Sequence, residues 1–169
     1  MSKHIPNSIP RQILLRDVEA SDLPIFYEQH LDPEANYMAA FTAKDPTDRE
    51  AFMHHWQKIL NDESTTNKTI ISGEQVAGSV SLYRDEEMEG PEVTYWFGKS
   101  YWGQGIATQA LTAFLDIVQV RPIFGRAAKD HLASRRVLEK CGFTVCGEGR
   151  GYANARGTEI EELILRHDA

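Results

Sequence analysis

Two cysteines are all that this 169-residue sequence contains. Cys141 and Cys146 are too few and too close for a disulfide framework or a zinc site, so a reducing compartment is the expectation, with both thiols packed as small apolar side chains. Basic charge is also scarce, with Lys and Arg totalling 18 against 25 Asp and Glu for a formal net charge of −7. That balance argues against nucleic acid as the main partner and is compatible with a cationic acceptor such as an amine. No apolar run is long enough to span a bilayer, and Met1-Ser2-Lys3-His4-Ile5-Pro6 lacks the hydrophobic core of a signal peptide, which predicts a cytoplasmic protein without a membrane partner. The histidines at 4, 30, 54, 55, 131 and 167 form no H-x-x-x-H or His/Cys/Asp cluster at ligand spacing, and His54-His55 point to different helix faces; no metal is expected. A G-x-S-x-G elbow and a Cys/His hydrolase pattern are both missing. No Pro/Gly/Ser-rich linker divides the chain, so residues 9–167 read as one domain.

What the chain does have is concentrated between Tyr95 and Thr108. The aromatic run Tyr95-Trp96-Phe97 is β-prone and leads through Gly103 and Gly105 into a segment, Gln104 to Val120, where Ala107, Ala110, Leu111, Phe114 and Val118 recur at helical spacing. Glycines at the start of an amphipathic helix put unpaired backbone N–H groups and the positive end of the dipole where an anion can reach them, with no Cβ in the way. Strand, glycine turn and helix N-terminus together form a device for holding phosphate. The spacing excludes two users of that device. A Walker loop needs G-x-x-x-x-G-K-[ST], which does not occur, and a dinucleotide fingerprint needs a third glycine where Thr108 stands, with an acidic residue about 20 positions further on.

The run Trp102-Gly103-Gln104-Gly105-Ile106-Ala107 resembles the acyl-CoA pyrophosphate loop of the GNAT N-acetyltransferase superfamily, [RQ]-x-x-G-x-[GA], with Trp102 at the first position. The form Y-W-G-x-G-x-A-T is usual in the branch similar to ribosomal-protein N-terminal (alanine/serine) acetyltransferases. A second block, from Asp130 through His131, Ser134, Val137, Leu138, Glu139 and Lys140 to Gly142-Phe143, is similar to the family signature N-x-x-S-x-x-[VL]-[LY]-E-K-x-G-F. His131 stands where that branch has Asn. The resemblance implies acetyl-CoA as cosubstrate, held by Tyr95, Trp96, Phe97, Gly103, Gln104, Gly105, Ile106, Ala107, Thr108, His131 and Ser134. It also implies an amine acceptor, either a small molecule or a protein N-terminus, and a monomer or homodimer.

Elsewhere the pattern alternates strands and helices. Gln12 to Arg16 reads as a strand, followed by a helix with Ser21 or Asp22 as N-cap and Pro24 in its first turn, then further helical turns over Glu34 to Phe41. Asp45-Pro46-Thr47-Asp48 starts a helix to about Asn61, with Phe52, Trp56, Ile59 and Leu60 as its stripe. Lys68–Ser72 and Val76–Tyr83 read as a hairpin, with Val76, Gly78, Val80 and Leu82 alternating against Ala77, Ser79, Ser81 and Tyr83 as in a half-buried strand. Glu92–Phe97, Pro122–Ala128, Phe143–Cys146 and Ile160–Leu165 read as strands, the last two joined through Gly151, Asn154 and Gly157. A helix opens near Asp130 with Ala133, Val137, Leu138 and Cys141 inward and Gly142 ending it. The chain is therefore mixed α/β (α+β). The resemblance implies the GNAT fold: a mostly antiparallel twisted sheet, splayed between strands 4 and 5 and flanked by helices.

For acetyl transfer a neutral amine must attack a thioester and a thiolate must leave. The resemblance gives carbonyl polarisation to a backbone N–H near Trp96 or Phe97. Many family members place a Tyr hydroxyl where Leu138 stands; the resemblance makes Ser134 the candidate proton donor instead, since related N-terminal acetyltransferases place a hydroxyl at its position, against the alternative of a first-turn Ser bonding the backbone. Glu92 is the candidate base; Glu28, Asp32, Glu159, Glu161 and Glu162 are the other acidic residues expected near the acceptor. Three functions follow: an N-acetyltransferase acting by direct attack in a ternary complex, a non-catalytic acyl-CoA-binding sensor of the same fold, and, more remotely, a nucleotide oxidoreductase.

Overall fold

The computed structural model describes residues 12–169. The Met1–Pro6 segment, His4 and residues 9–11 of the expected domain lie outside the described residues. Seven strands form one sheet: β1 (Ile13–Asp17), β2 (Thr66–Ser72), β3 (Gln75–Arg84), β4 (Pro91–Phe97), β5 (Ile123–Ala128), β6 (Thr144–Ala153) and β7 (Thr158–His167). Their order is β1-β2-β3-β4-β5-β7-β6, and every neighbouring pair is antiparallel except β4 and β5. The helices are α1 (Leu23–Gln29), α2 (Pro33–Ala39), α3 (Arg49–Leu60), α4 (Ile106–Ile117) and α5 (Leu132–Lys140). This is the mixed architecture expected, including the splay: the parallel ladder between β4 and β5 consists of the single pair Glu92↔Phe124.

Burial separates the two faces of the sheet. Val80, Leu82 and Val93 pack with Ile106, Ala110, Leu111, Phe114 and Leu115 of α4 and Leu138 of α5 in the main core. On the other face Leu23 and Phe26 of α1 and Trp56 of α3 form a second cluster against Val76. Helix starts follow local chemistry. Asp48 Oδ1 accepts the Ala51 N–H at 3.0 Å to begin α3, and Asp32 Oδ1 accepts that of Ala35 at 2.9 Å to begin α2, whose first residue is Pro33. Asp22 makes no such cap for α1. Its carboxylate is 1% exposed and accepts from both Arg16 Nη atoms (2.7 and 2.8 Å), the Thr69 hydroxyl (2.7 Å) and the Glu19 N–H (2.8 Å). It thereby ties β1 and β2 to the entry of α1, a buried charge satisfied on all sides.

Several sequence expectations change. The alternation in β3 holds only from Gly78 onward, because a bulge at the Ile70/Ile71 register shift flips its parity, so Val76 meets α1 and α3 while Ala77 joins Val80 in the main core. Both faces of β3 are covered, so it is buried through, not half-buried. α4 begins two residues later than Gln104, with Gly105 as N-cap, and ends at Ile117 because Val118 is already extended. Ala133 is exposed on α5 and Cys146 is exposed on β6, where both were expected inside. The last hairpin is much longer than expected: β6 runs to Ala153, and Gly151 is a strand residue opposite Ile160.

Candidate active site

The glycine loop has the geometry an anion requires. Gly103 and Gly105 have φ of +73° and +75°, and nothing lies within 4 Å of the position a Cβ would take at either. The first intrahelical bond of α4 runs from Gln109 N–H to Gly105 O at 3.2 Å, which leaves the amides of Ile106, Ala107 and Thr108 without an intrahelical acceptor. No side chain caps this end and no acidic residue occupies the first turn. The loop is braced from within: Gln104 Nε2 donates to Ser100 O at 2.8 Å and Trp102 Nε1 to Phe97 O at 3.2 Å. Trp102 at the first motif position thus anchors the loop to the end of β4. Ile106 is buried and Gln104 is engaged with Ser100, so what both offer a ligand is an amide.

Beyond Glu92, β4 has no ladder to β5, and a cleft of about 1160 Å3 opens there. Glu92, Thr94 and Trp96 line it, and so do Tyr95, Ser134 and Leu138. Adjacent residues of a strand point to opposite faces. Residues of both strand faces line this one cleft, as expected where β4 is unpaired, whereas Phe97 and residues 103–108 lie outside its lining. β3 contributes to this opening: a Cβ on Gly78 would lie 2.0 Å from Trp96 O, so the glycine lets β4 lean onto β3 on the side away from the gap.

On the α5 side, Ser134 is half-buried and its Oγ lies 2.9 Å from the Tyr95 hydroxyl, so it does not turn to the backbone of its own helix. Leu138, where many relatives carry a Tyr, is 1% exposed and packs over Gly125 of β5. His131 is the N-cap residue of α5 but makes no side-chain cap bond; its imidazole lines the cleft, and burial lowers its pKa, keeping it neutral. Trp96 is held from α1, its Nε1 donating to Gln29 O at 3.1 Å and its ring stacked on His30 at 4.1 Å between centroids. Burial takes His30 down to about 4, so that stack is uncharged near neutral pH.

On the opposite side the sequence missed the central residue. Arg126 of β5 reaches four carboxylates: Asp85 at 3.1 Å, Glu162 at 3.4 Å, Glu92 at 3.5 Å and Glu87 at 3.9 Å. Its Nε faces Glu92 without forming a hydrogen bond. Glu92 is 5% exposed, and burial pushes its pKa up to about 7, opposed by the Tyr83 hydroxyl and by Arg126 and assisted by Asp85. Burial also raises Glu162, and raises Tyr83 further above its ordinary range. Glu162 has room because it lies over Gly149, whose Cβ would come within 2.9 Å of Glu162 Oε1. The other acidic candidates are elsewhere employed or exposed. Asp32 caps α2, Glu159 pairs with Arg150 at 3.1 Å, Glu161 pairs with Lys129 at 3.3 Å, and Glu28 is exposed on α1.

A family model described as the acetyltransferase (GNAT) domain matches residues 12–144. The chain belongs to the GNAT acetyltransferase family. As a GNAT enzyme it is an N-acetyltransferase that takes its acyl group from acetyl-CoA and passes it to an amine. It is 23% identical over 162 residues to the uncharacterised N-acetyltransferase p20 of Bacillus licheniformis, covering 91% of each chain. Among solved structures, the ribosomal-protein-alanine N-acetyltransferase of Brucella melitensis superposes with a TM-score of 0.78 at 20% identity, covering 92% of this chain and 99% of that one. The spermidine N-acetyltransferase of Vibrio cholerae, solved with CoA and spermine, gives a TM-score of 0.75 at 17% identity over 92% and 96% of the two chains. These likenesses show a shared GNAT fold. Among the described residues no helix is long and apolar enough to cross a membrane.

Proposed function

We propose that this GNAT domain moves the acetyl group by direct attack in a ternary complex, with acetyl-CoA entering from the α4–α5 side and a primary amine from the α1–α3 side. The observation that carries this reading is the cleft that opens where β4 and β5 part, lined by residues from both faces of β4. The free amides of residues 103–108 hold the diphosphate, and pantetheine lies in the gap beside His131. A β4 amide near Trp96 or Phe97 polarises the carbonyl. Glu92 takes the proton of the attacking amine; a base near 7 suits an α-amino group near 8 better than a side-chain amine at about 10.4. Ser134 donates a hydrogen bond to the departing sulfur. The acceptor is a small amine or a protein N-terminus.

Initial rates of thiol release with a panel of polyamines and peptide N-termini test this. Intersecting double-reciprocal plots are expected, parallel lines would contradict direct attack, and tight acetyl-CoA binding without release on any amine would favour a sensor. Ser134→Ala is expected to lower kcat by about tenfold to a hundredfold, the worth of one hydrogen bond to a charged sulfur, with acetyl-CoA affinity retained, measured by turnover and calorimetry. Arg126→Met should move the pH at which Glu92 ionises upward by about one unit or more, because a cation 3.5 Å away is lost; the ascending limb of kcat/KM against pH reports it.

A further inference from the structure

We propose that Tyr95 is a positioning residue for the leaving thiol: its phenolic O–H, 2.9 Å from Ser134 Oγ, donates to that oxygen and leaves the serine's own hydrogen free to point at the sulfur. The inference rests on the reading that Ser134 faces the thiol. A serine in the first turn of a helix ordinarily turns its hydroxyl to a nearby carbonyl. Ser134 instead meets the phenol arriving from β4, and the Tyr95 Oη also lies 3.4 Å from Ser134 O. Of two hydroxyls in contact, the more acidic one donates, and a phenol is far more acidic than an alkanol. Burial pushes Tyr95 up to about 12, so the phenol keeps its proton throughout the working range and stays a donor.

The ring is held for this task. It packs in the main core and lies 5.8 Å from the Phe97 ring, centroid to centroid. Tyr95 thereby supplies from the strand a hydroxyl that Leu138 cannot supply from the helix. In the step itself the amine lone pair forms the C–N bond and the C–S bond breaks, its electron pair going to sulfur. The proton lost by the amine goes to Glu92. Ser134 and Tyr95 keep their protons, since ionised serine is far more basic than a thiolate. Their chained hydrogen bonds stabilise the thiolate until it leaves, and it then takes a proton from solvent.

A double-mutant cycle decides the matter. Tyr95→Phe is expected to lower kcat about fivefold to tenfold, the worth of one hydrogen bond, with the KM for acetyl-CoA within about twofold. Added to Ser134→Ala it is expected to cost nothing further. Full additivity in the double variant would mean that Tyr95 acts through packing, and an unchanged kcat in Tyr95→Phe would mean that it does not act; either overturns the proposal while the role of Ser134 stands. An unchanged kcat in Ser134→Ala would remove both residues from the mechanism. Should Tyr95→Phe fold poorly, difluorotyrosine at position 95 keeps the ring and sharpens the donor. Its kcat is expected to match or exceed that of the parent below the pH at which the fluorinated phenol ionises and to fall above it. A kcat indifferent to that ionisation would overturn the proposal.

Discussion

Gly105→Glu is expected to weaken acetyl-CoA binding by at least about a hundredfold while the protein stays folded. Gly105 is the N-cap of α4 in the left-handed conformation, φ 75° and ψ 7°, and no atom lies within 4 Å of a Cβ placed there. The side chain therefore meets no obstacle, and the backbone cost is about 1 to 2 kcal/mol for a non-glycine residue in that region. A carboxylate roughly 5 Å from a phosphate charge, by contrast, costs about 3 kcal/mol at the effective dielectric of a protein surface, and two phosphate charges are present. Gly105→Ala separates the two effects, since it carries the strain and a Cβ without the charge and should weaken acetyl-CoA binding far less than the glutamate does. Calorimetric titration of the three proteins, with thermal melts as the folding control, measures both quantities.

Glu92→Gln is expected to lower kcat by about a hundredfold to ten-thousandfold, the range for a positioned base. Its pH signature is sharper than its size. With the carboxyl at about 7, parent kcat/KM should rise through that pH to a plateau, and the glutamine variant should lose the limb. Stability follows the same group with the opposite sense. The folded pKa stands above the 4.5 of an unperturbed Glu, so the native state holds the proton more tightly. The stability this confers is complete below about pH 4.5 and is lost as pH rises through about 7. A shift of this size corresponds to roughly 3 kcal/mol, so denaturant unfolding should show the variant gaining on the parent by up to that amount across the window. Parallel stability curves from pH 4 to 8 would place Glu92 in a solvated setting and remove it as the base.

How far these features were legible depends on what made them. The β4–loop–α4 unit was legible because its signals are local: aromatics, then glycines whose conformation few other residues adopt, then helical spacing in the next turns. Asp48 announced α3 for the same reason, whereas Asp32-Pro33 read as a break although it caps and opens α2. The length of β6 was hidden because Gly147, Gly149 and Gly151 suppress strand character, yet Gly149 is there for packing, since a Cβ on it would come within 2.9 Å of Glu162 Oε1. The parity of β3 was hidden by a bulge that nothing in Val76-Ala77-Gly78 declares. Least legible were the groups assembled across the sheet. Asp85, Glu92, Arg126 and Glu162 converge because β7 inserts between β5 and β6, and Tyr95 meets Ser134 because α5 crosses the splayed strands. Glu92 and Ser134 drew notice by residue type and resemblance; Arg126 did not, since a lone arginine on a strand carries no signal of what surrounds it.

A crystal structure with acetyl-CoA tests the central claim most directly. The diphosphate oxygens are expected within hydrogen-bond distance of the amides of residues 103–108, with pantetheine threaded between β4 and β5 and the sulfur beside Ser134 Oγ. Coenzyme A bound away from those amides, with the gap between β4 and β5 left empty, would contradict the account.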